Sequence, residues 1–167
     1  NMLIDYIPSY DDVRAVIGAD TEDLEDIEIE LKVIELQLVD VLDSISENLT
    51  GIYEDIQVRL KDPLQTTTKL ERKIVGTLQV LSTYCVALIL APTFPVKILR
   101  KITDGKATGE RTAEPFEKLQ AELEETVATL IDRMKDLLEE YGEEVTRDTY
   151  GALTLSVGLA VDPVTGE

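Results

Sequence analysis

The sequence predicts an all-α fold, a helical bundle of about four to five helices with a C-terminal extended β-strand arm, on three observations. Apolar residues recur at steps of three and four over residues 27–56 and again over 116–141, the repeat of a helix face. Between these segments residues 74–96 carry no charge, and a helix apolar on nearly every face is one that neighbours surround. Beyond residue 149 the apolar period drops to two, the repeat of a strand. Residues 1–148 therefore read as one bundle domain and 149–167 as an extended arm.

Residues 2–8 read as extended. Ser9 is an N-cap with Asp12 three residues on, and Gly18 stands where a helix would end, so residues 10–17 form a short first helix. An acidic link follows at 19–26. The long pattern after it places Ile27, Leu31, Ile34, Leu38, Val41, Ile45, Leu49, Ile52 and Ile56 on one face. Ile29, Val33 and Leu36 form a second apolar stripe, which one partner helix would not cover and which reads as a face for another subunit. Gly51, next to Thr50, is expected to break or kink it, leaving a second piece over 52–60 that Asp62-Pro63 closes.

Thr66, Thr67 and Thr68 precede Glu71 at a capping-box spacing and open the charge-free helix. Pro92 closes it, so about 18 residues of the run itself are continuous helix. Residues 95–102 read as a short basic helix, Asp104-Gly105 as a turn and 106–114 as a polar loop. Pro115 suits the first turn of the last helix, whose apolar positions are Phe116, Leu119, Leu123, Val127, Leu130, Met134, Leu137 and Tyr141; Gly142 is the expected end signal, with a continuation to Arg147 as the alternative. In the tail, Leu153, Leu155, Val157, Leu159 and Val161 share one face of a strand that has no partner elsewhere in the sequence. Such a strand is expected to pair with another copy or another protein.

The charge-free run is long enough to raise a membrane span, which takes about 20 apolar residues. Thr77, Gln79, Ser82, Thr83 and Tyr84 dilute it, and Pro92 and Pro95 cut it short, so a buried central helix is expected and no membrane partner. The opening residues lack the basic-then-apolar pattern of a signal peptide.

A net charge of −18 argues against binding to nucleic-acid phosphates or anionic membrane surfaces. The charge is segregated: residues 1–62 hold 17 acids and 4 bases, 63–115 hold 4 and 8, and 116–167 hold 13 and 4. Acidic and basic faces of that kind can pair within a chain or between copies.

Little here supports catalysis. The chain has no histidine, and its one cysteine, Cys85, lies inside the apolar run, which rules out an intrachain disulfide and a thiolate metal site. There is no E-x-x-H, no phosphate-binding glycine loop, and no EF-hand spacing among the acids at 20–26. The remaining acids fall on solvated helix faces. No enzyme, metal or cofactor is expected.

Three stretches in succession resemble the head-to-tail connector, or neck adaptor, proteins of tailed bacteriophages. They are Tyr10-Asp11-Asp12-Val13-Arg14-Ala15-Val16-Ile17-Gly18 with the acids at 22–26; Thr83-Tyr84-Cys85-Val86-Ala87 running on to Pro92 and Pro95; and Arg100-Lys101-Ile102-Thr103-Asp104-Gly105-Lys106 with Arg111 beyond. The resemblance implies a structural virion protein at the neck between capsid and tail. Its partners would be further copies of itself in a ring, typically a dodecamer, with the portal protein on one side and a tail or stopper protein on the other. The genome would pass through the lumen without specific binding. Arg100, Lys101, Asp104, Gly105, Lys106 and Arg111 would then dock the portal or a neighbouring subunit, Ile29, Val33 and Leu36 would form the subunit helix face, and the strand from Leu153 to Val161 would be the arm. The competing expectation is a dimeric cytosolic scaffold or interaction module unrelated to viruses.

Overall fold

The computed structural model describes residues 3–93 and 113–143. Among these the secondary structure is helical throughout. Six α-helices follow in order: α1 (Tyr10–Ile17), α2 (Asp26–Ile29), α3 (Lys32–Ile45), α4 (Leu49–Lys61), α5 (Lys69–Leu90) and α6 (Ala113–Tyr141), with 3-10 turns at Leu3–Asp5 and Ala91–Thr93. The all-α expectation holds for this part of the chain. The arm at 149–167, the basic helix at 95–102 and the turn at Asp104-Gly105 lie outside the described residues.

Helix α5 is the axis of the bundle. It packs most extensively on α6 and also contacts α1, α3 and α4. Ile74, Leu78, Leu81, Val86 and Ala87 are fully buried along it. By length and composition the segment Lys69–Thr93 would pass for a membrane span, with a window of mean hydropathy 2.0, but 72% of that window is buried inside the bundle. Enclosure of this kind is what an all-round apolar helix obtains in a core. The core is continuous from Leu3 and Tyr6 through Leu38, Leu42 and Tyr53 to Val127, Met134 and Leu138.

The helix ends follow local chemistry. The Ser9 hydroxyl accepts the Asp12 N–H at 3.1 Å and opens α1. Gly18, at φ 78°, closes it: its N–H bonds the Ala15 carbonyl and the Ala19 N–H reaches the Arg14 carbonyl at 2.9 Å. Thr68 and Glu71 form the reciprocal capping box of α5, with the Thr68 N–H donating to Glu71 Oε2 at 2.6 Å and the Glu71 N–H to Thr68 Oγ1 at 3.1 Å. Gly142, at φ 97°, ends α6 with the same pattern as Gly18, the Glu143 N–H bonding the Leu138 carbonyl at 2.9 Å. Pro115 lies in the first turn of α6.

Three expectations need correction. The long segment breaks at Ser46–Asn48, not at Gly51, which lies inside α4. The Ser46 hydroxyl accepts the Asn48 N–H, and Asn48 donates from its side chain to Glu143 at 3.2 Å, so a turn anchored to the end of α6 replaces the continuous helix. Residues 3–7 are not simply extended: a 3-10 turn lets Leu3, Tyr6 and Ile7 bury their side chains. The third correction concerns Ile29, which is fully buried, while Ile27 and Leu31 are 67% and 50% exposed. A helix interruption at Glu30-Leu31 shifts the phase between α2 and α3, so the inward position in α2 is Ile29 and it belongs to the core, not to an outer subunit face.

Candidate assembly surfaces

Three polar clamps fix how the outer surfaces are presented. Arg14, buried on α1, donates from Nε to the Leu24 carbonyl at 2.8 Å, from Nη1 to Asp11 at 2.7 Å, and from Nη2 to Asp26. These contacts, led by the bond to Asp26, hold its guanidinium firmly charged and bind the acidic link to α1. Tyr10 bonds Glu30; burial first and that bond second push the Tyr10 hydroxyl up to about 12. Together they set the position of α2 and of the exposed Ile27 and Leu31 beyond it.

The second clamp is Tyr53 on α4. Its hydroxyl donates to the Asp5 carbonyl at 2.7 Å and accepts from Gln57 at 3.1 Å and Gln79 at 3.4 Å, tying the N-terminal turn to α4 and α5. Its ring lies 5.7 Å from that of Tyr6. Burial raises its pKa above the ordinary phenol value.

The third clamp closes the corner between α4 and α5. Arg59 pairs with Glu71 at 2.6 Å and with Asp55 at 2.9 Å. The backbone N–H of Thr68 first, and Arg59 with it, hold the buried Glu71 carboxyl below its ordinary 4.5, against the opposing effect of burial. Because the folded value is depressed, the pair stabilises the fold fully above the unfolded value and loses that contribution as pH falls through the folded one. Glu71→Gln is therefore expected to lower the urea midpoint near neutrality and to have progressively less effect below about pH 4.5. Parallel pH profiles of the two chains would show that the Thr68–Glu71–Arg59 clamp carries no such linkage.

Two patches emerge on this frame. On α3, Val33, Leu36, Asp40 and Asp43 follow one another at helical spacing and all are exposed, Val33 at 56% and Leu36 at 54%. Around the α4–α5 connection Val58 is 65% and Leu64 92% exposed, and Lys61, Lys69 and Lys73 are exposed as well, as are Glu54 and Asp55. Asp43 stands in the last turn of α3, which has no basic residue, a placement that costs about 0.3–1 kcal/mol at an exposed helix end. At the corner Lys61 complements the C-terminal end of α4, and Glu71 offsets Lys69 in the first turn of α5.

Of the residues singled out from the sequence, Val33 and Leu36 are thus exposed and Ile29 is in the core. Arg100, Lys101, Asp104, Gly105, Lys106 and Arg111 lie outside the described residues, as do Leu153, Leu155, Val157, Leu159 and Val161. The corner patch was missed. Its signal is Val58 standing two residues past the buried Ile56, off the inward phase, with Leu64 in a polar connection. Cys85 is enclosed, and burial pushes its thiol up to about 12, so it is neutral and unreactive at neutral pH. Among the described residues no three His, Cys, Asp or Glu side chains converge as a metal site.

No protein-family model, curated protein or solved structure matches the chain. The class that the described residues define is an all-α bundle with one continuous core and exposed apolar side chains on α3 and around the α4–α5 connection.

Proposed function

We propose that the chain is a head-to-tail connector of a tailed bacteriophage, a structural protein whose copies form a ring below the portal, typically twelvefold, with a passage for the genome and a platform for the tail. The observation that carries this reading is the α3 face on which Val33 and Leu36, neighbours at helical spacing, stand about half exposed outside the core, apolar surface that a neighbouring copy would cover. The succession of the three sequence stretches described above supports the phage neck as the setting. A net charge of −18 suits a protein beside moving DNA, because acidic walls repel phosphate where basic walls would hold it. In this reading Arg100, Lys101, Lys106 and Arg111, with Asp104 and Gly105, dock the portal or a neighbouring subunit, and residues 153–161 form the arm that reaches the next ring component.

The experiment is to image particles carrying the chain with a gold or fluorescent label. Label concentrated at the junction of capsid and tail is expected. Label elsewhere on the particle, or none in purified particles of a phage that encodes the chain, would contradict the proposal.

A further inference from the structure

We infer that in the free chain the apolar tail, residues 149–161, turns back over the α3 face and covers Val33 and Leu36. The inference goes beyond the connector reading and rests on it only for what displaces the tail in an assembly. Its first support is where the tail starts. Glu143, the last described residue, lies against the end of α3, because its carboxylate accepts from the Asn48 side chain at 3.2 Å in the turn between α3 and α4. Residues 144–167 follow from there. Helix α3 has 14 residues and is about 21 Å long. Seven residues of extended chain span about 23 Å, so residues from 151 onward can reach any level of α3.

The second support is the order of the chemistry. Read back from its C-terminal end, the exposed face of α3 presents Asp43 and Asp40, then Leu36 and Val33. Read forward from Glu143, the tail presents Arg147, its one base, and then residues 149–161 without a charge, among them Leu153, Leu155 and Val157. Four extended residues carry Arg147 about 13 Å, level with the last two turns of α3. There it supplies the cation that the last turn lacks beside Asp43. Glu144 and Asp148 flank Arg147, so this pairing sets register, while the charge-free stretch supplies the binding. The outward side of α4, which starts at the same turn, offers Val58 alone behind Glu54 and Asp55, and Lys61 already complements its end. The occupant is the chain's own tail because a segment tethered this close to the face is held at an effective concentration on the order of millimolar, above that of a separate copy. The seated tail shields the α3 face, and copies associate through that face once the tail is drawn away.

The test uses the full chain with Leu36→Cys as reporter, since the native Cys85 is buried and does not compete. Its rate of reaction with a maleimide, in dilute solution, is compared with that of the same chain carrying Leu153→Glu, Leu155→Glu and Val157→Glu. Val58→Cys is the reference in both backgrounds. The Leu36→Cys thiol is expected to react about tenfold more slowly with the native tail, the protection of a tail seated about nine-tenths of the time, and Val58→Cys equally fast with either tail. Arg147→Glu should return about threefold of the rate, as loss of one exposed ion pair predicts. Equal Leu36→Cys rates with the two tails would overturn the inference. So would protection that grows with protein concentration, the mark of a second copy on the face, or protection of Val58→Cys instead. Loss of helical circular dichroism on charging the tail would overturn it too, because the tail would then belong to the core. Protection in a chain absent from phage necks would keep the tail on α3 and remove the connector reading; no protection in a chain that does sit in the neck would do the reverse.

Discussion

Tyr53→Ala is expected to destabilise the bundle by about 3–5 kcal/mol, the range for removing a large buried aromatic side chain. Tyr53 is 2% exposed, stacks near Tyr6 and joins three elements through one hydroxyl. A loss of that size is a large fraction of the 5–15 kcal/mol that holds a typical domain together. Tyr53→Phe separates ring from hydroxyl. It keeps the packing and removes the hydroxyl's bond to the solvent-exposed Asp5, for an expected loss of about 0.5–1.5 kcal/mol. Urea unfolding with an unchanged slope reads both losses as shifts in midpoint. Hydrogen exchange adds the location: amides of residues 3–7 should exchange faster in both variants before the rest of the bundle opens. Unchanged protection there would show that Leu3 and Ile7 hold the N-terminal turn without Tyr53.

Val33→Glu with Leu36→Glu is expected to act in the opposite way, sparing the fold and removing association. Both positions are about half exposed, so the isolated bundle loses little, within about 0.5 kcal/mol for a surface substitution. In an assembly the remaining half of each side chain would be buried at about 1–1.5 kcal/mol apiece. Losing both lowers the association constant on the order of a hundredfold, before the cost of placing two further carboxylates against a neighbour. Circular dichroism and sedimentation on one sample separate the outcomes. Loss of helix would place the α3 face in the monomer's own structure and remove it as an interface.

What was legible in the sequence is what local chemistry decides. Ser9 with Asp12, Gly18, the Thr68–Glu71 box and Gly142 each specify a helix end through backbone groups a few residues away, and each stands where it was expected. The inward repeat of α6 is readable at Leu123, Val127, Met134 and Leu137, while the core also takes Ile131 and Leu138, and Tyr141 at the helix end is 36% exposed. The segment from α2 to α4 was not. Its periodicity was read as one helix with a break at Gly51, while interruptions at Glu30-Leu31 and Ser46–Asn48 reset the phase and exchanged the roles of Ile29 and Ile27. Gly51 costs only about 1 kcal/mol against alanine in a helix, which α4 absorbs over its 13 residues. The exposed Val58 and Leu64 escaped for a related reason: they flank a connection whose course is set by tertiary contacts such as the Arg59–Glu71 pair between α4 and α5. Arg14, buried with three acceptors, was likewise invisible to a reading that places charge outside.

The claim on which the account turns is that this bundle assembles by a repeating contact into a closed ring. The mass of the intact chain under native conditions, alone and with a portal assembly, tests it most directly, with the Val33→Glu, Leu36→Glu chain alongside. The account predicts one discrete multimer of many copies for the native chain and a monomer for the variant. A native chain that stays a monomer beside the portal, or that stops at a dimer, would contradict it.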